Sequence, residues 1–324
     1  MVFSKIIGTG SYLPEKIVTN DDMAKFVDTS DEWISSRTGI KERRFAADGQ
    51  LTSELAYNAA IKALKSAQVD AEDIDMIIVA TTTPDNTFPS TAAKLHLLLK
   101  INENIPTFDI QAVCSGFVYG LSVADSMIKN HLAKRILLVG AETMSRILDF
   151  NDRATCVLFG DGAGAVVLEA TNNNPKKNNN PGILSTHLHS NGKHYDILKV
   201  QGGPSLGQEG KLYMDGPEVY KVAVNSLSAV VSEALKANDM EKADIDWLVP
   251  HQANKRIIMS MARKLNLGED NVIITIDKHA NTSAASIPLA LDEAVQSGRI
   301  EPGQTILMEA AGGGMTWAAA LVRL

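Results

Sequence analysis

The feature of this sequence that most constrains its fold is the alternation of short apolar runs with longer amphipathic segments. The short runs are rich in Val, Ile and Leu along their whole length, which is typical of strands buried on both faces of a sheet. The predicted strands are residues 76–80, 136–140, 165–168, 247–249, 272–276, 305–308 and 318–322, and the predicted helices are residues 53–67, 115–128, 219–235, 257–265 and 287–296. This alternation predicts a layered α/β fold in which helices cover sheets.

A weak internal repeat indicates that the fold has two similar halves. The run Asp73-Ile74-Asp75 before one predicted strand resembles Asp244-Ile245-Asp246 before another. These two runs lie about 170 residues apart in the sequence. Ile136-Leu137 and Ile306-Leu307 resemble each other at nearly the same separation. Chance is the competing explanation, because an acidic-Ile-acidic run before an apolar strand is common.

An asparagine-rich stretch separates the two halves. Residues 172–182 hold six asparagines and two prolines, so they cannot bury apolar area and are expected to form a solvated connection. We therefore predict an N-terminal half at residues 1–171 and a C-terminal half at residues 183–324.

Composition excludes several classes of protein. The chain has 324 residues and a net charge of −7, from 31 basic and 38 acidic residues, which argues against non-specific nucleic-acid binding. No run approaches the ~20 apolar residues of a membrane span, and the N-terminus does not resemble a signal peptide. Two cysteines cannot form a disulfide framework, and neither they nor His187, His189 and His194 form a recognisable metal motif. We expect a soluble, cytoplasmic protein with no metal.

Cys114 lies where a strand-like run meets a predicted helix. A thiol at a helix N-terminus experiences the positive end of the dipole, which lowers its pKa and favours the nucleophilic thiolate. A buried structural cysteine is the alternative, and position alone leaves both interpretations open. Cys156 lies in an apolar run, residues 154–159, that predicts a strand with no neighbouring base, so we expect a structural residue there.

Two polar clusters follow predicted strands of the second half. Residues 251–254 begin with His251, and residues 279–283 contain Asn281. Open α/β sheets place their sites at this end of their strands. A cysteine nucleophile with a histidine and an asparagine from elsewhere in the chain is a known catalytic arrangement. Taken alone, His251 is more often a core or loop histidine, and Asn281 a turn residue or helix N-cap.

Three consecutive glycines, residues 312–314, follow the predicted strand at 305–308. Such a run permits close approach of the backbone, so that its N–H groups can point at a developing oxyanion. A hairpin turn explains the same glycines equally well.

Several ordered blocks of the sequence together resemble the β-ketoacyl-acyl-carrier-protein synthase III enzymes of the thiolase superfamily. The blocks are residues 31–34, 37–40, 88–90, 114–117, 159–164, 251–254, 281–286 and 312–314, and the match covers nearly the whole chain. The resemblance implies duplicated α/β halves in an αβαβα arrangement, and a homodimer.

The resemblance implies a catalytic triad of Cys114, His251 and Asn281. Cys114 would accept an acyl group, expected to be acetyl, from acyl-CoA, while backbone N–H groups of Cys114 and Gly313 hold the oxyanion. His251 and Asn281 would then donate hydrogen bonds to the thioester carbonyl of malonyl-acyl carrier protein as CO2 leaves. The carbanion attacks the acyl-enzyme and gives 3-oxoacyl-acyl carrier protein, the first condensation of type II fatty acid synthesis. No cofactor is needed.

The resemblance also assigns contacts to the two substrates. The residues implied for CoA are Trp33, Arg37, Arg153, Gly216 and Asn254, with Trp33 against the adenine. The basic residues implied for docking the acidic carrier protein are Lys221, Arg256, Arg263 and Lys264. Phe88 is expected to cross the dimer interface and close the acyl pocket of the partner subunit.

Two positions depart from the family pattern. Ser115 follows the nucleophile where alanine is usual, and Ala280 precedes Asn281 where glycine is usual. Both changes bear on the acyl pocket or on the angle of Asn281, so the choice of primer stays open.

The residues at the candidate site separate the implied function from some, but not all, of the other functions that a chain like this could have. A degradative thiolase would carry a second active-site cysteine near the C-terminal glycines, and a hydroxymethylglutaryl-CoA synthase a glutamate base near the nucleophile; the sequence indicates neither. A specialised condensing enzyme of secondary metabolism would keep the whole triad. A non-catalytic acyl-CoA or carrier-protein binding module would have no need of it.

Overall fold

A computed structural model describes residues 1–324 and contains thirteen strands and ten α-helices. The strands are β1 (Phe3–Tyr12), β2 (Lys16–Thr19), β3 (Glu42–Phe45), β4 (Met76–Ala80), β5 (Thr107–Ile110), β6 (Arg135–Thr143), β7 (Asp161–Thr171), β8 (Gly182–Ser190), β9 (Leu198–Val200), β10 (Leu212–Met214), β11 (Trp247–Pro250), β12 (Thr305–Gly312) and β13 (Thr316–Arg323). The helices are α1 (Asn20–Met23), α2 (Asp31–Thr38), α3 (Thr52–Ala67), α4 (Thr91–Leu99), α5 (Gly116–Lys129), α6 (Arg153–Cys156), α7 (Gly216–Ala237), α8 (Lys255–Leu265), α9 (Ile276–His279) and α10 (Ser286–Gln296). None of these helices combines the length and apolarity needed to span a bilayer.

Two principal sheets form, and each takes its strands from one side of the asparagine-rich stretch. The first sheet has the order β1-β7-β6-β4-β5, and the second has the order β11-β12-β13-β8. The stretch itself connects β7, which ends at Thr171, to β8, which begins at Gly182.

The two sheets repeat the same local pairing. Met76 of β4 pairs with Ile136 of β6, and Trp247 of β11 pairs with Ile306 of β12, both in parallel. In each sheet the next strand, β7 or β13, is antiparallel and is followed by another antiparallel strand. These pairs are about 170 residues apart, so the repeat in the sequence marks equivalent strands of a duplicated fold.

The predicted strand at residues 272–276 is wrong. Only a single bridge, between Leu248 and Val272, extends the second sheet at the place that β5 occupies in the first. The side chain of Gln252 takes the role of a strand partner here, since its amide is fully buried and makes four hydrogen bonds to the backbone. These bonds join it to Pro250, Ile273, Thr275 and Ile276.

The helices form three layers around the sheets. Helices α5 and α10 lie between the two sheets, and their apolar residues share one core with both. Helices α3 and α4 cover the outer face of the first sheet, and α7 and α8 cover the outer face of the second. The predicted αβαβα architecture is confirmed.

Candidate active site

The two central helices begin at equivalent turns that meet in the middle of the molecule. Cys114 lies in a one-turn 3₁₀-helix, Val113–Ser115, that leads into α5, and a matching turn, Ser283–Ala285, leads into α10. Val113 and Ser283 each have a φ of 50°, a left-handed conformation that is uncommon for side chains of this kind. A Cβ placed on Gly116 would lie 3.4 Å from the Cβ of Ala284, so the two helix starts are in contact.

A cavity of about 780 Å³ lies over this junction and brings the predicted triad together. Cys114, His251 and Asn281, which are far apart in the sequence and come from both halves, all line it. All three are buried, and Cys114 is only 4% exposed. Most of the other lining side chains are apolar, which suits a binding site that excludes water.

The Cys114 thiol is held in its protonated form, contrary to the expected lowering of its pKa. Burial raises its pKa to about 12, the Ser283 hydroxyl beside it lowers that value in part, and the negative charge of Glu142 raises it further. The helix start therefore does not compensate for the loss of hydration at this depth.

His251 is a neutral imidazole at the end of β11. Its backbone N–H donates to the carbonyl of Glu309, 2.8 Å away, which fixes the chain at the strand end. Burial lowers the pKa of the ring to about 3, and Nδ1 is buried without a hydrogen-bond partner. A neutral ring carries one N–H, so His251 can donate a hydrogen bond but is a poor base.

Asn281 is fixed by its backbone and by its own side chain. Its N–H donates to Leu158 and its carbonyl accepts from Gly160. The side-chain oxygen accepts from the N–H of Ser283 at 2.9 Å, which leaves the amide nitrogen free to donate into the cavity. The preceding Ala280 has a φ of 55° and a ψ of −157°, a conformation in which glycine is usual.

The three glycines form the hairpin between β12 and β13, and they also lie against the nucleophile. Gly312 pairs with Thr316 across the hairpin. A Cβ on Gly312 would lie 2.6 Å from the backbone nitrogen of Cys114, and one on Gly313 would lie 2.9 Å from the carbonyl oxygen of Leu198. The run therefore forms a hairpin turn, and it is made of glycine where two other segments touch it.

Comparison with known proteins gives the same family from three directions. Residues 108–192 match the family model of 3-oxoacyl-[acyl-carrier-protein (ACP)] synthase III, and residues 235–324 match the model of its C-terminal part. A β-ketoacyl-[acyl-carrier-protein] synthase III of Paramagnetospirillum magneticum is 58% identical over 325 residues, which cover 100% of both chains. The crystal structure of 3-oxoacyl-[acyl-carrier-protein] synthase III from Aquifex aeolicus superimposes with a TM-score of 0.93 at 46% identity, over 99% of this chain and 100% of that one.

This chain belongs to the β-ketoacyl-acyl-carrier-protein synthase III family. The predicted family and acyltransferase class are confirmed. A further structural neighbour is the priming β-ketosynthase of the R1128 polyketide biosynthetic pathway, with a TM-score of 0.91 at 33% identity over 99% of this chain and 96% of that one.

The mouth of the synthase cavity carries the aromatic and basic residues predicted for CoA. Trp33 and Arg37 line the cavity, and the guanidinium carbons of Arg37 and Arg153 lie 4.7 and 4.6 Å from the centre of the Trp33 ring. Arg153 also donates to the carbonyl of Asp28. Cation–π contacts of this kind hold the indole in place and keep two positive charges beside it.

The other predicted contacts divide into lining and outer residues. Gly216, Asn254 and Arg256 line the cavity. The Asn254 amide is already engaged, since it donates to the carbonyl of Arg37 and caps α8. The residues that lie outside the cavity are Phe88, Arg153, Lys221, Arg263, Lys264 and Gly313.

Ser115 and Cys156 are structural. The Ser115 hydroxyl is buried, donates to the carbonyl of Ala112 at 2.7 Å and contacts the hydroxyl of Thr316 at the same distance, so it fastens the nucleophile turn to β13. It does not line the cavity. Cys156 is buried as expected, but the predicted strand around it is wrong, because it ends α6.

Glu142 is the group near the nucleophile that sequence reasoning missed. It is completely buried at the end of β6, and its charge acts on the Cys114 thiol, so the expectation that no glutamate lies near the nucleophile is wrong. A single acidic residue at the end of an otherwise apolar strand was the available signal.

Proposed function

We propose that this protein is the initiating condensing enzyme of type II fatty acid synthesis, with Cys114 as the acyl acceptor. Cys114 takes an acyl group, expected to be acetyl, from CoA, and the acyl-enzyme then condenses with malonyl-acyl carrier protein. The products are 3-oxoacyl-acyl carrier protein, CoA and CO2. The single observation that carries the proposal is the meeting of Cys114, His251 and Asn281 in one cavity.

The roles that we propose for the catalytic residues are supported by their geometry. The backbone N–H groups of Cys114 and Gly313 hold the oxyanion of the first step, with the hairpin pressed against the nucleophile. Neutral His251 and the free amide nitrogen of Asn281 donate to the thioester carbonyl of the malonyl group, which stabilises the enolate formed as CO2 departs. Loss of CO2 drives the condensation, so the reaction calls for no cofactor.

Substrate delivery uses the mouth of the cavity and the helices beside it. Trp33, with Arg37 and Arg153, receives the adenine and phosphates of CoA, and the pantetheine arm runs past Gly216 and Asn254. Helices α7 and α8 present Lys221, Arg256, Arg263 and Lys264 to the acidic carrier protein.

The working unit that we propose is a cytoplasmic homodimer. Strand β5 ends the first sheet with one side unpaired, which makes it a strand that a second copy can extend. Phe88 is 83% exposed in the loop before α4, and it enters the partner's acyl pocket in this arrangement. Both cysteines are free, which fits a reducing compartment.

A condensing enzyme of secondary metabolism is the second candidate. The observation in its favour is the likeness to the R1128 priming β-ketosynthase, which keeps the same fold at 33% identity. Comparison of acetyl-CoA, butyryl-CoA and isobutyryl-CoA as primers separates the two, because a fatty acid synthase of the proposed kind prefers acetyl-CoA.

Transfer of radiolabelled acetyl groups tests the proposed nucleophile. We expect the wild-type protein to acquire one thioester-linked acetyl group from acetyl-CoA, and Cys114→Ala to acquire none. Cys156→Ala is the matched control and keeps the label, because that buried thiol does not line the cavity. Equal labelling of Cys114→Ala would contradict the proposal.

Substitution of His251 tests the division of roles. We expect His251→Ala to be acylated at near the wild-type rate but to condense about 100- to 1,000-fold more slowly, since one oxyanion donor is lost. Rapid-quench measurement of each half-reaction gives both numbers. An equal loss of both half-reactions would assign His251 to the acylation step as well.

A further inference from the structure

Two short segments of the backbone meet beside Cys114. One is the turn at residues 112–115, called the nucleophile turn below, and the other is the hairpin at residues 312–316 between β12 and β13. A Cβ on Gly312 would lie 2.6 Å from the backbone nitrogen of Cys114, so the two segments are in direct contact. A shift of either segment therefore moves the two proposed oxyanion donors, the N–H groups of Cys114 and Gly313, relative to each other.

Two hydroxyl groups join these segments. The buried Ser115 hydroxyl donates to the carbonyl of Ala112 at 2.7 Å and lies 2.7 Å from the hydroxyl of Thr316. The Thr316 hydroxyl also lies within hydrogen-bond distance of the Ala112 carbonyl, at 3.0 Å. Every hydrogen bond between the nucleophile turn and the hairpin therefore involves the Thr316 side chain. Without this hydroxyl, the two segments would be joined by van der Waals contact alone.

The tip of the hairpin has few other restraints. The ladder between β12 and β13 ends at the pair of Gly312 with Thr316. Beyond that pair, the carbonyl of Met315 accepts a hydrogen bond from the N–H of Asn191 at 2.9 Å. The N–H of Gly313 has no hydrogen-bond partner in the protein, so it is free to bind an oxyanion. The position of this donor consequently depends on how the hairpin is held against the nucleophile turn.

We propose that the hydroxyl pair of Ser115 and Thr316 positions the oxyanion hole for the acylation step. Both are positioning residues, because neither side chain lines the cavity and each acts through the backbone segment that it holds. The inference rests on the proposed function, in which Cys114 is acylated and the N–H groups of Cys114 and Gly313 stabilise the tetrahedral intermediate.

The hydroxyl pair should affect acylation and leave decarboxylation of the malonyl group unchanged. The proposed donors for decarboxylation are His251, whose N–H is bound by the carbonyl of Glu309, and Asn281, whose backbone is bound to Leu158 and Gly160. None of these bonds includes the nucleophile turn or the tip of the hairpin. A displaced hairpin therefore slows attack on the acetyl thioester, whereas CO2 should leave malonyl-acyl carrier protein at the same rate.

Substitution of Thr316 tests this role, since Thr316→Val removes the hydroxyl and keeps the shape of the side chain. We expect single-turnover acylation by saturating acetyl-CoA to slow about tenfold, less than the ~100-fold loss that a misplacement of about 1 Å can cause. The half-saturating concentration of acetyl-CoA should stay within about twofold of wild type, because ground-state binding is not altered. Release of labelled CO2 from malonyl-acyl carrier protein, measured without an acyl primer, should be unchanged. Thr316→Ser keeps the hydroxyl and should acylate at the wild-type rate.

A double-mutant cycle tests whether the two hydroxyls act as a unit. In the wild-type background Ser115→Ala should slow acylation about threefold, because the bond from Thr316 to Ala112 remains. In the Thr316→Val background the same substitution should have no further effect, since the link to the hairpin is already absent. Equal effects in both backgrounds, or no effect in either, would overturn the paired role. If Thr316→Val does not fold, acylation by Ser115→Ala at the wild-type rate would overturn it alone.

Thr186→Val is the matched control for the loss of a contact between two hydroxyls. The Thr186 hydroxyl on β8 donates to that of Ser122 at 2.8 Å, so it also joins the second sheet to α5, but it does not line the cavity. We expect Thr186→Val to lose about as much stability to urea as Thr316→Val and to keep both half-reactions. An equal slowing of both half-reactions in Thr316→Val would leave it a structural role only and overturn the inference.

The outcomes separate this inference from the proposed function. Acetyl labelling of Cys114→Ala would overturn the nucleophile, and with it the proposed function. An unlabelled Cys114→Ala combined with wild-type acylation by Thr316→Val would reject the positioning role alone.

Discussion

At the scale of single residues, burial decides the charge of the groups in and around the cavity. The Cys114 thiol is protonated and the His251 ring is a neutral imidazole with one N–H. Glu309 on β12 is a carboxyl group with a buried oxygen that has no hydrogen-bond partner. Burial raises the pKa of Glu309 from its ordinary value of 4.5 to about 8. In each case the low dielectric of the interior favours the neutral form.

Glu309 makes stability depend on pH. Between pH 4.5 and about 8 the unfolded chain has lost this proton while the folded chain keeps it, so stability falls as pH rises. Glu309→Gln does not titrate, and its stability relative to wild type should improve by about 1.4 kcal/mol per pH unit in this range. Urea unfolding of both proteins at about pH 5 and about pH 8 measures the change. A constant difference would show that Glu309 is ionised in the folded protein.

At the scale of elements, the segment that carries Asn281 is joined to the second sheet by a few hydrogen bonds and not by a regular strand. The segment that carries Asn281 is attached to β11 by one bridge and by the buried amide of Gln252. On the first half the equivalent place is taken by β5, a strand with a full register against β4. The segment between β11 and Asn281 therefore depends on one side chain for much of its attachment to the second sheet, whereas Asn281 itself is also held by Leu158 and Gly160.

Substitution of Gln252 should weaken the fold and disturb condensation. Gln252→Ala leaves two buried N–H groups, those of Thr275 and Ile276, without an acceptor, at a cost of about 3 kcal/mol. Gln252→Glu is a second variant that keeps both acceptor bonds but sets a buried carboxyl group against the carbonyls of Pro250 and Ile273, so it should also lose stability. Urea unfolding and separate assays of the two half-reactions check this. Wild-type stability in Gln252→Ala would show that water or another group replaces the amide.

At the scale of the whole molecule, duplication places equivalent turns at one centre. The turns at Cys114 and at Ser283 begin the two helices that lie between the sheets, so both halves contribute to one cavity. A proposed homodimer adds a third contribution, the exposed Phe88 of the partner subunit. Beside the Phe88 loop, a second depression of about 1030 Å³ is lined by Thr82, Pro84 and Thr87 among others.

Mixed dimers test the contribution of Phe88. Light scattering should show a dimer, and Phe88→Ala should lose the preference for acetyl-CoA over butyryl-CoA. Mixing Phe88→Ala with Cys114→Ala subunits creates dimers with one intact Cys114 facing one intact Phe88. If Phe88 acts across the interface, these dimers recover the wild-type preference. No recovery on mixing, or a monomer, would remove this role.

The sequence by itself determined the α/β class, the duplication, the position of the long helices and the blocks that carry Cys114, His251 and Asn281. Apolar periodicity and ordered motifs are local properties, so they can be read from the chain. The strands expected at residues 272–276 and 154–159 failed because a short apolar run does not reveal its partner. In the first run, the backbone is hydrogen-bonded by the side chain of Gln252 and not by a neighbouring strand. In the second run, the chain forms the helix α6.

Only the tertiary structure decided the protonation of the site and the presence of Glu142 behind the nucleophile. The helix start at Cys114 indicated a lowered pKa, whereas the actual depth of burial raises it. Desolvation depends on every group that packs around an atom, and the groups around the Cys114 turn come from β12, β13, α5 and the turn before α10. No local pattern in the sequence contains the combined desolvation by all these groups. The triad could therefore be predicted from the sequence, whereas the pKa values of its side chains could not.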